Sequence, residues 1–467
     1  MVNNKKTEPN RVTITVPRIV ISSIKGKSGK TLAALTLIAA FSKAGYRVSV
    51  FKNGPDFIDP GYHSHVLGSP SRNIDYVLMG ESVVERFYRY SSNSDIALVE
   101  GNHGLYDSID GISESGSTAQ MAKLLHAPVI IVLDGERANR TLGAIVKGLI
   151  YYDRNVKIIG IILTNIIPRQ AERLRKVVEA EGLPTLGIIY RDEKISEATP
   201  YRHLGLTPMS ERGKFNMRNV IDEIALHSIK TDEIIKLARE RSDDVECEVH
   251  EDLRTLQHKR VKFGIMTGKS FTFYYPETIE KAGEVGMVKF IDPETTQSLP
   301  DVDILLIGGG FPEIYSEALE RNKSLRNDLR RFAEGGGMIY AECGGLMYLT
   351  NSIIYNNEQY EMVGVVDGDT VVTKKPMAHG HAIARVLRNI PIANAGDRLM
   401  GHEFHYSKIL LRNKYDFALS YEKGKGISDG HDGIQIRNVY AQYMHIHPST
   451  HDFVKKLSEK FLNKEMD

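Results

Sequence analysis

The sequence predicts an α/β protein of two domains, each built on a largely parallel sheet. Three observations carry that expectation. The chain has 467 residues, more than a single hydrophobic core usually serves, since cores stop growing near roughly 250 to 300 residues. Residues 19–190 alternate short β-branched runs with segments of helical spacing, the pattern of a parallel sheet covered by helices. A strongly charged stretch at 229–260 then separates this half from a second one in which the alternation resumes.

The first run is RIVISSI, from Arg18, followed by a glycine-containing turn and a helix from Thr31 to Ala44 that Gly45 would cap. YRVSVFK, DIALVEG, APVIIVLDG, VKIIGIILTNI and LPTLGIIY continue the series. We place the first domain at 1–241, a charged linker at 242–259 and the second domain at 260–467. The second domain opens with VKFGIM, VDILLIGGG and GMIYAECGG, then turns to shorter strand-like runs and ends in the helical STHDFVKKLSEKF. That order predicts α/β with an antiparallel flank.

Composition narrows the function classes. Sixty Lys and Arg against fifty-nine Asp and Glu leave a net charge of +1, so no overall field favours nucleic acid or an anionic membrane. Apolar stretches such as LAALTLIAAF are far too short to span a bilayer, and the N-terminus is polar, which predicts a cytoplasmic protein. Two cysteines, Cys247 and Cys343, exclude a disulfide framework and a cysteine-built zinc site.

KGKSGKT, Lys25 to Thr31, lies between a predicted strand and a predicted helix. In that context successive backbone N–H groups and the helix N-terminus form an anion site. Gly26, Lys27, Ser28, Gly29, Lys30 and Thr31 are therefore candidate nucleotide contacts, with Lys30 on the outer phosphates and the Thr31 hydroxyl on Mg²⁺. In DIALVEG the apolar strand ends in Glu100, followed by Gly101, which puts a carboxylate at the strand end where such a metal would sit. Lys52, Asp56 and Asp59 follow the second strand in a Gly/Pro-rich loop, where charge serves a ligand or merely solvent.

Cys343 stands between the strand GMIYAE and two glycines. A nucleophile on a sharp strand-to-helix turn needs small neighbours, because the next N–H, that of Gly344, must face the substrate oxyanion. The helix N-terminus is expected to favour the thiolate. YMHIHPS offers His445 or His447 as its base, with His445 preferred. The turn GGGFPE would add oxyanion donors from Gly309 and Gly310.

AECGGLMYL, GGGFPE, GHEFHYS, FYYPE, KNGPDFIDP and SRNIDYVL together resemble the cobyrinic acid a,c-diamide synthases. The resemblance covers nearly the whole chain. It implies a P-loop NTPase-type domain, similar to dethiobiotin synthetase, followed by a class I glutamine amidotransferase domain of flavodoxin-like α/β form. The implied reaction is ATP- and Mg²⁺-dependent amidation of tetrapyrrole carboxylates with ammonia from L-glutamine. Lys30 and Thr31 would serve phosphates and Mg²⁺, Asp56 and Glu100 the metal, Lys52 and Asp59 carboxylate activation or substrate, and Cys343 with His445 the glutaminase. Cobyrinate, hydrogenobyrinate and nickel sirohydrochlorin all fit as the tetrapyrrole. Arg72, His103 or Arg202 could meet its carboxylates, and a homo-oligomer is left open. The loop alone also suits a partition-like ATPase switch with a non-catalytic second domain, but such a switch has no use for Cys343 and His445.

Overall fold

A computed structural model describes residues 10–194, 201–202, 205–206, 217–250 and 261–464. The chain divides into two compact units, Met1–Asp252 and Leu253–Asp467.

The first unit begins with β1 (Asn10–Ile14) and β2 (Arg18–Ser23), followed by α1 (Lys30–Lys43), β3 (Val48–Asn53), α2 (Ile58–Leu67) and β4 (Arg72–Ile74). It continues through β5 (Ile96–Glu100), β6 (Val129–Asp134), β7 (Ile158–Ile166) and β8 (Thr185–Tyr190). Seven of these strands form one sheet in the order β4-β3-β5-β2-β6-β7-β8, every pair parallel. Ile19 and Ile21 enter the core beneath α1, while Val20 enters the core on the opposite face. Burial on both faces is why the strands read as continuous apolar runs.

Packing holds α1. Ala33, Leu37 and Phe41 are fully buried, and burying a large apolar side chain stabilises by ~1.5–3 kcal/mol, well above any per-residue helix propensity. At its end the Tyr46 N–H donates to the Phe41 carbonyl at 3.1 Å and the Gly45 N–H to that of Ser42 at 3.1 Å. That closing turn needs the left-handed φ of +86° at Gly45.

The stretch expected as a linker opens with structure. β9 (Val245–Val249) pairs antiparallel with β1, Asn10 opposite Val249 and Ile14 opposite Val245. The first unit thus runs past residue 241, and a linker beginning at 242 is corrected to that extent. Val245, Cys247 and Val249 are less exposed than Glu246 and Glu248 between them, so a two-residue period was present but hidden among charges. Residues 251–259 lie outside the described residues.

The second unit carries β10 (Val261–Met266), β11 (Gly286–Ile291), β12 (Ile304–Ile307) and β13 (Met338–Glu342), then α3 (Gly344–Leu349). An antiparallel pair follows, β14 (Ala378–Val386) and β15 (Arg398–His405), and after it β16 (Ile434–Ile436), β17 (Val439–Gln442) and α4 (Phe453–Lys464). The main sheet has the order β11-β10-β12-β13-β17-β16, parallel except for the last pair. Leu305, Ile307, Ile339 and Ala341 fill one core; Ile304, Leu306, Met338 and Tyr340 fill the other. Two further four-stranded sheets come between β13 and β16 in sequence, one wholly antiparallel as expected and the other mixed, with one parallel pair between Thr350–Tyr355 and Val366–Val372. Among the described residues no helix is long and apolar enough to cross a membrane.

Two candidate active sites at the strand ends

In a parallel sheet the loops that follow the strands gather at one edge, which is where ligands bind. Neighbours in the sheet therefore become neighbours in a site. In the first unit β5 lies between β3 and β2, with Lys52 and Ile21 both in register with Glu100. Lys52, Glu100 and the loop after β2 consequently meet at the same edge.

Within that loop Lys27 and Gly29 take left-handed φ values of +59° and +82°. Lys30 folds back over it, its Nζ donating to Ser23 Oγ at 2.9 Å, to the Lys25 carbonyl at 3.1 Å and to the His103 carbonyl at 2.5 Å. Burial, with Lys52 nearby, lowers the Lys30 pKa to about 8 against the opposing pull of Glu100. Thr31 Oγ1 donates to Glu100 Oε1 at 2.8 Å.

Glu100 is completely buried. Its Oε2 lies 2.6 Å from His63 Nε2, and His63 Nδ1 lies 3.1 Å from Ser71 Oγ. Burial alone would push this carboxyl up, yet Lys52, His63 and Thr31 together hold it well below the usual carboxylate range. Lys52 Nζ sits 2.5 Å from Asp59 Oδ2, 3.3 Å from Glu100 Oε1 and 3.8 Å from Asp56 Oδ2. Desolvation opposes its charge, but the three carboxylates outweigh that and raise its pKa. One ammonium does not neutralise three carboxylates, and the excess falls on Asp59, which burial and Asp56 push upward. Asp56 Oδ1 also accepts the N–H groups of Ile58 and Asp59 at the start of α2.

Thr31 and Glu100 present hard oxygen donors beside the phosphate loop, a set that suits Mg²⁺ completed by phosphate and water. Among the described residues no group of three or more His, Cys, Asp or Glu could hold a metal by itself. Asp56 and Asp59 face the Lys52 ammonium. Arg72 stacks over the Tyr90 ring at 3.7 Å, and His103 is exposed with a φ of +42°. The side chain of Arg202 lies outside the described residues.

The second unit repeats the geometry. β13 lies between β12 and β17, with Ile307 opposite Ala341 and Gln442 opposite Glu342. The segments after these three strands carry Gly309 and Gly310, Cys343, and His445. Cys343 has φ +48° and ψ −103°, a left-handed backbone that a non-glycine residue enters at a cost of ~1–3 kcal/mol. Its Sγ donates to the Phe404 carbonyl at 3.6 Å. Gly344 packs against the 309–310 turn, where a Cβ on it would lie 3.0 Å from the Gly310 nitrogen.

Burial opposes the thiolate expected at the helix N-terminus. Burial pushes the Cys343 thiol well up, Glu313 adds to the effect, and the Gly344 N–H opposes it. α3 has just six residues, too short a dipole to offset complete burial.

His445 is fully buried and fixed through its backbone. Its N–H donates to the His402 carbonyl at 2.8 Å, and the His402 N–H returns to the His445 carbonyl at 2.9 Å. Its ring lies so close to Gly309 that a Cβ there would be 2.3 Å from Cε1; only glycine leaves room. His447 sits elsewhere, packed at a tilt of 47° on Tyr275 with centroids 4.3 Å apart and its Nε2 3.7 Å from Glu277 Oε2. Sequence reasoning missed His63, Glu342 beside His445, and the Phe404 carbonyl at the thiol. His63 had a signal, because it stands one helical turn after Asp59 and shares its face.

Comparison with known proteins covers both units. Residues 19–204 match a CobQ/CobB/MinD/ParA nucleotide binding domain and residues 262–453 a CobB/CobQ-like glutamine amidotransferase domain. A cobyrinate a,c-diamide synthase of Archaeoglobus fulgidus is 38% identical over 97% of this chain and 98% of its own. Proteins of the same name from Methanobrevibacter smithii and Methanosarcina barkeri are 37% and 34% identical, over 92% and 99% of this chain and 95% and 98% of their own. With both units matched and the similarity running essentially end to end, the chain belongs to the cobyrinate a,c-diamide synthase family.

Proposed function

We propose that the chain amidates the a and c side-chain carboxylates of cobyrinate, spending ATP at the edge of the first unit and glutamine at the edge of the second. The observation that carries this reading is the presence on one chain of both strand-edge sites, a Lys/Thr/Glu cluster on a phosphate loop and a strained cysteine beside a buried histidine.

A carboxylate is a poor electrophile because its leaving group would be oxide. Attack of a substrate carboxylate oxygen on the γ-phosphorus of ATP, with ADP leaving, converts it to an acyl phosphate. Backbone N–H groups of Gly26 to Gly29 and the Lys30 ammonium would hold the phosphates, while Thr31, Glu100 and Asp56 would hold Mg²⁺. When bound, that ion neutralises charge on the phosphate oxygens. Lys52 and Asp59 face the substrate carboxylate, Lys52 fixing its orientation.

In the second unit the Cys343 thiol passes its proton to His445 as sulfur attacks the glutamine amide carbon. The N–H groups of Gly344 and of the Gly309–Gly310 turn receive the oxyanion. His445 then gives the proton to the departing nitrogen, ammonia leaves, and water hydrolyses the thioester to glutamate. Ammonia attacks the acyl phosphate, phosphate departs, and an amide remains.

The test is mass spectrometry of products after incubation with ATP, Mg²⁺, glutamine and separately cobyrinate, hydrogenobyrinate or nickel sirohydrochlorin. Two successive exchanges of OH for NH₂ on cobyrinate are expected. Exchange on another tetrapyrrole alone would keep the chemistry and move the substrate.

A further inference from the structure

Glu342 ends β13, immediately before the candidate nucleophile, and both of its oxygens are placed. Oε1 accepts the Tyr340 hydroxyl at 2.6 Å and the Ile446 N–H at 3.0 Å. Those two bonds come from either side of the carboxylate: Tyr340 lies two residues back on the same strand face, and Ile446 lies in the segment that delivers His445. The anchoring leaves Oε2 3.6 Å from His445 Nδ1. On the other side of the same ring Nε2 would lie 3.1 Å from a Cβ at Gly309. The imidazole is therefore bracketed, its Nδ1 toward Glu342 and its Nε2 toward the glycine turn. The His402 ring lies 6.0 Å from that of His445 between centroids, and Glu313, Glu342 and Glu403 all act electrostatically on Cys343.

A base in this position becomes a cation when it takes the thiol proton. His445 is fully buried, away from the water that would otherwise solvate that charge. Burial also opposes charge on the thiol, so proton transfer from thiol to imidazole separates two charges in a buried site. A carboxylate fixed beside Nδ1 offsets part of that penalty and selects the tautomer whose Nε2 carries the accepting lone pair.

We infer that Glu342 is the positioning residue of the glutaminase, stabilising the His445 imidazolium through Nδ1. The inference rests on the glutaminase reading of Cys343 and His445 and adds a third member to it. Its competing role is purely structural, tying β13 to the 443–447 segment through the Ile446 N–H. Glu342→Gln separates the two, because the amide oxygen still accepts from Tyr340 and Ile446 while the charge is gone.

The probe is 6-diazo-5-oxo-L-norleucine, an electrophilic mimic of glutamine, applied to the full-length chain with labelling of Cys343 followed by mass. Glu342→Gln is expected to slow labelling ~100-fold at pH 7, within the range that a positioned acid or base commands. The deficit should shrink as pH rises and hydroxide replaces His445 as proton acceptor, and the KM for glutamine should stay within about threefold of the parent. A charge-independent structural role predicts parental labelling in Glu342→Gln, or a loss that is equal at every pH; either would overturn the inference. Should Glu342→Gln fail to fold, Glu342→Asp decides: the shorter carboxylate withdraws from Nδ1, an intermediate loss with the same pH trend supports the assignment, and parental behaviour overturns it. Absence of Cys343 labelling in the parent would overturn the glutaminase reading itself.

Discussion

The two sites occupy the same place in their sheets and are made of opposite materials. Each lies where the loops of three adjacent parallel strands converge. At the first edge Lys30, Lys52, Asp56, Asp59, Glu100 and His63 form a continuous ionic cluster. At the second, what prepares the site is a positive φ at Cys343, a glycine that admits the His445 ring, and one carboxylate. The difference follows from the reactions proposed for them. Phosphoryl groups arrive charged and need fixed counter-charge, whereas a thiol attacking a neutral amide needs alignment and a proton route, with charge appearing only in the transition state.

Variants that remove charge at the first edge should be the most damaging and blind to nitrogen source. Lys30→Ala and Glu100→Gln are each expected to lower synthesis by ~10³-fold or more with glutamine or with ammonium salt, since both act on phosphoryl transfer. Product mass after single-time-point incubation measures this, while glutaminase activity should stay near parental. A parental ammonium-dependent rate in Glu100→Gln would remove that residue from the site.

Geometry at the second edge should matter only for glutamine. His445→Ala is expected to lose ~10²–10³-fold in glutamine-dependent synthesis, in the range of a lost general base, with ammonium-dependent synthesis unchanged. His447→Ala, whose ring packs on Tyr275 away from Gly309, should lose less than tenfold. The reverse pattern in the two variants would transfer the base to His447.

The contrast extends to stability. Lys52 has a side chain only 3% exposed among three carboxylates, and Lys52→Met leaves buried charge uncompensated, a change that costs ~3–5 kcal/mol where it has been measured. Thermal unfolding should show a lower first transition in this variant, and an unchanged melt would mean that water solvates the cluster.

How much of this was readable beforehand also differs between the edges. KGKSGKT and the Cys343 elbow are local strings, and the alternation of strands and helices fixes where each comes to rest, so the fold and the core of both sites could be argued residue by residue. His63 on α2 meets Glu100 at the end of β5 across 37 residues of chain, a non-local meeting that spacing from Asp59 hinted at. The resting state of Cys343 depends on how thoroughly the elbow is buried, which no short string encodes. β9 was lost among glutamates because its pairing with β1 spans more than two hundred residues.

The smallest expected effect is a pH dependence at Lys30. With a pKa of about 8 in the folded chain, its ammonium is lost as pH rises through that value, so ATP should bind several-fold more weakly at pH 9 than at pH 7 and take up a proton on binding. Stability runs the other way: an unfolded lysine keeps its proton to about 10.4, so between these values the unfolded chain binds more protons and this group's contribution to folding rises with pH. Calorimetric titration with ATP in two buffers of different ionisation enthalpy checks the sign. Affinity independent of pH would mean that Lys30 does not meet the phosphates.

The central claim is that two separable half-reactions share one chain, and Cys343→Ser tests it most directly. With ATP, Mg²⁺ and cobyrinate, synthesis by this variant is measured once with glutamine and once with concentrated ammonium salt. The account predicts no diamide from glutamine and a near-parental yield from ammonium; loss of both in a folded variant, or full glutamine-dependent synthesis without the thiol, would contradict it.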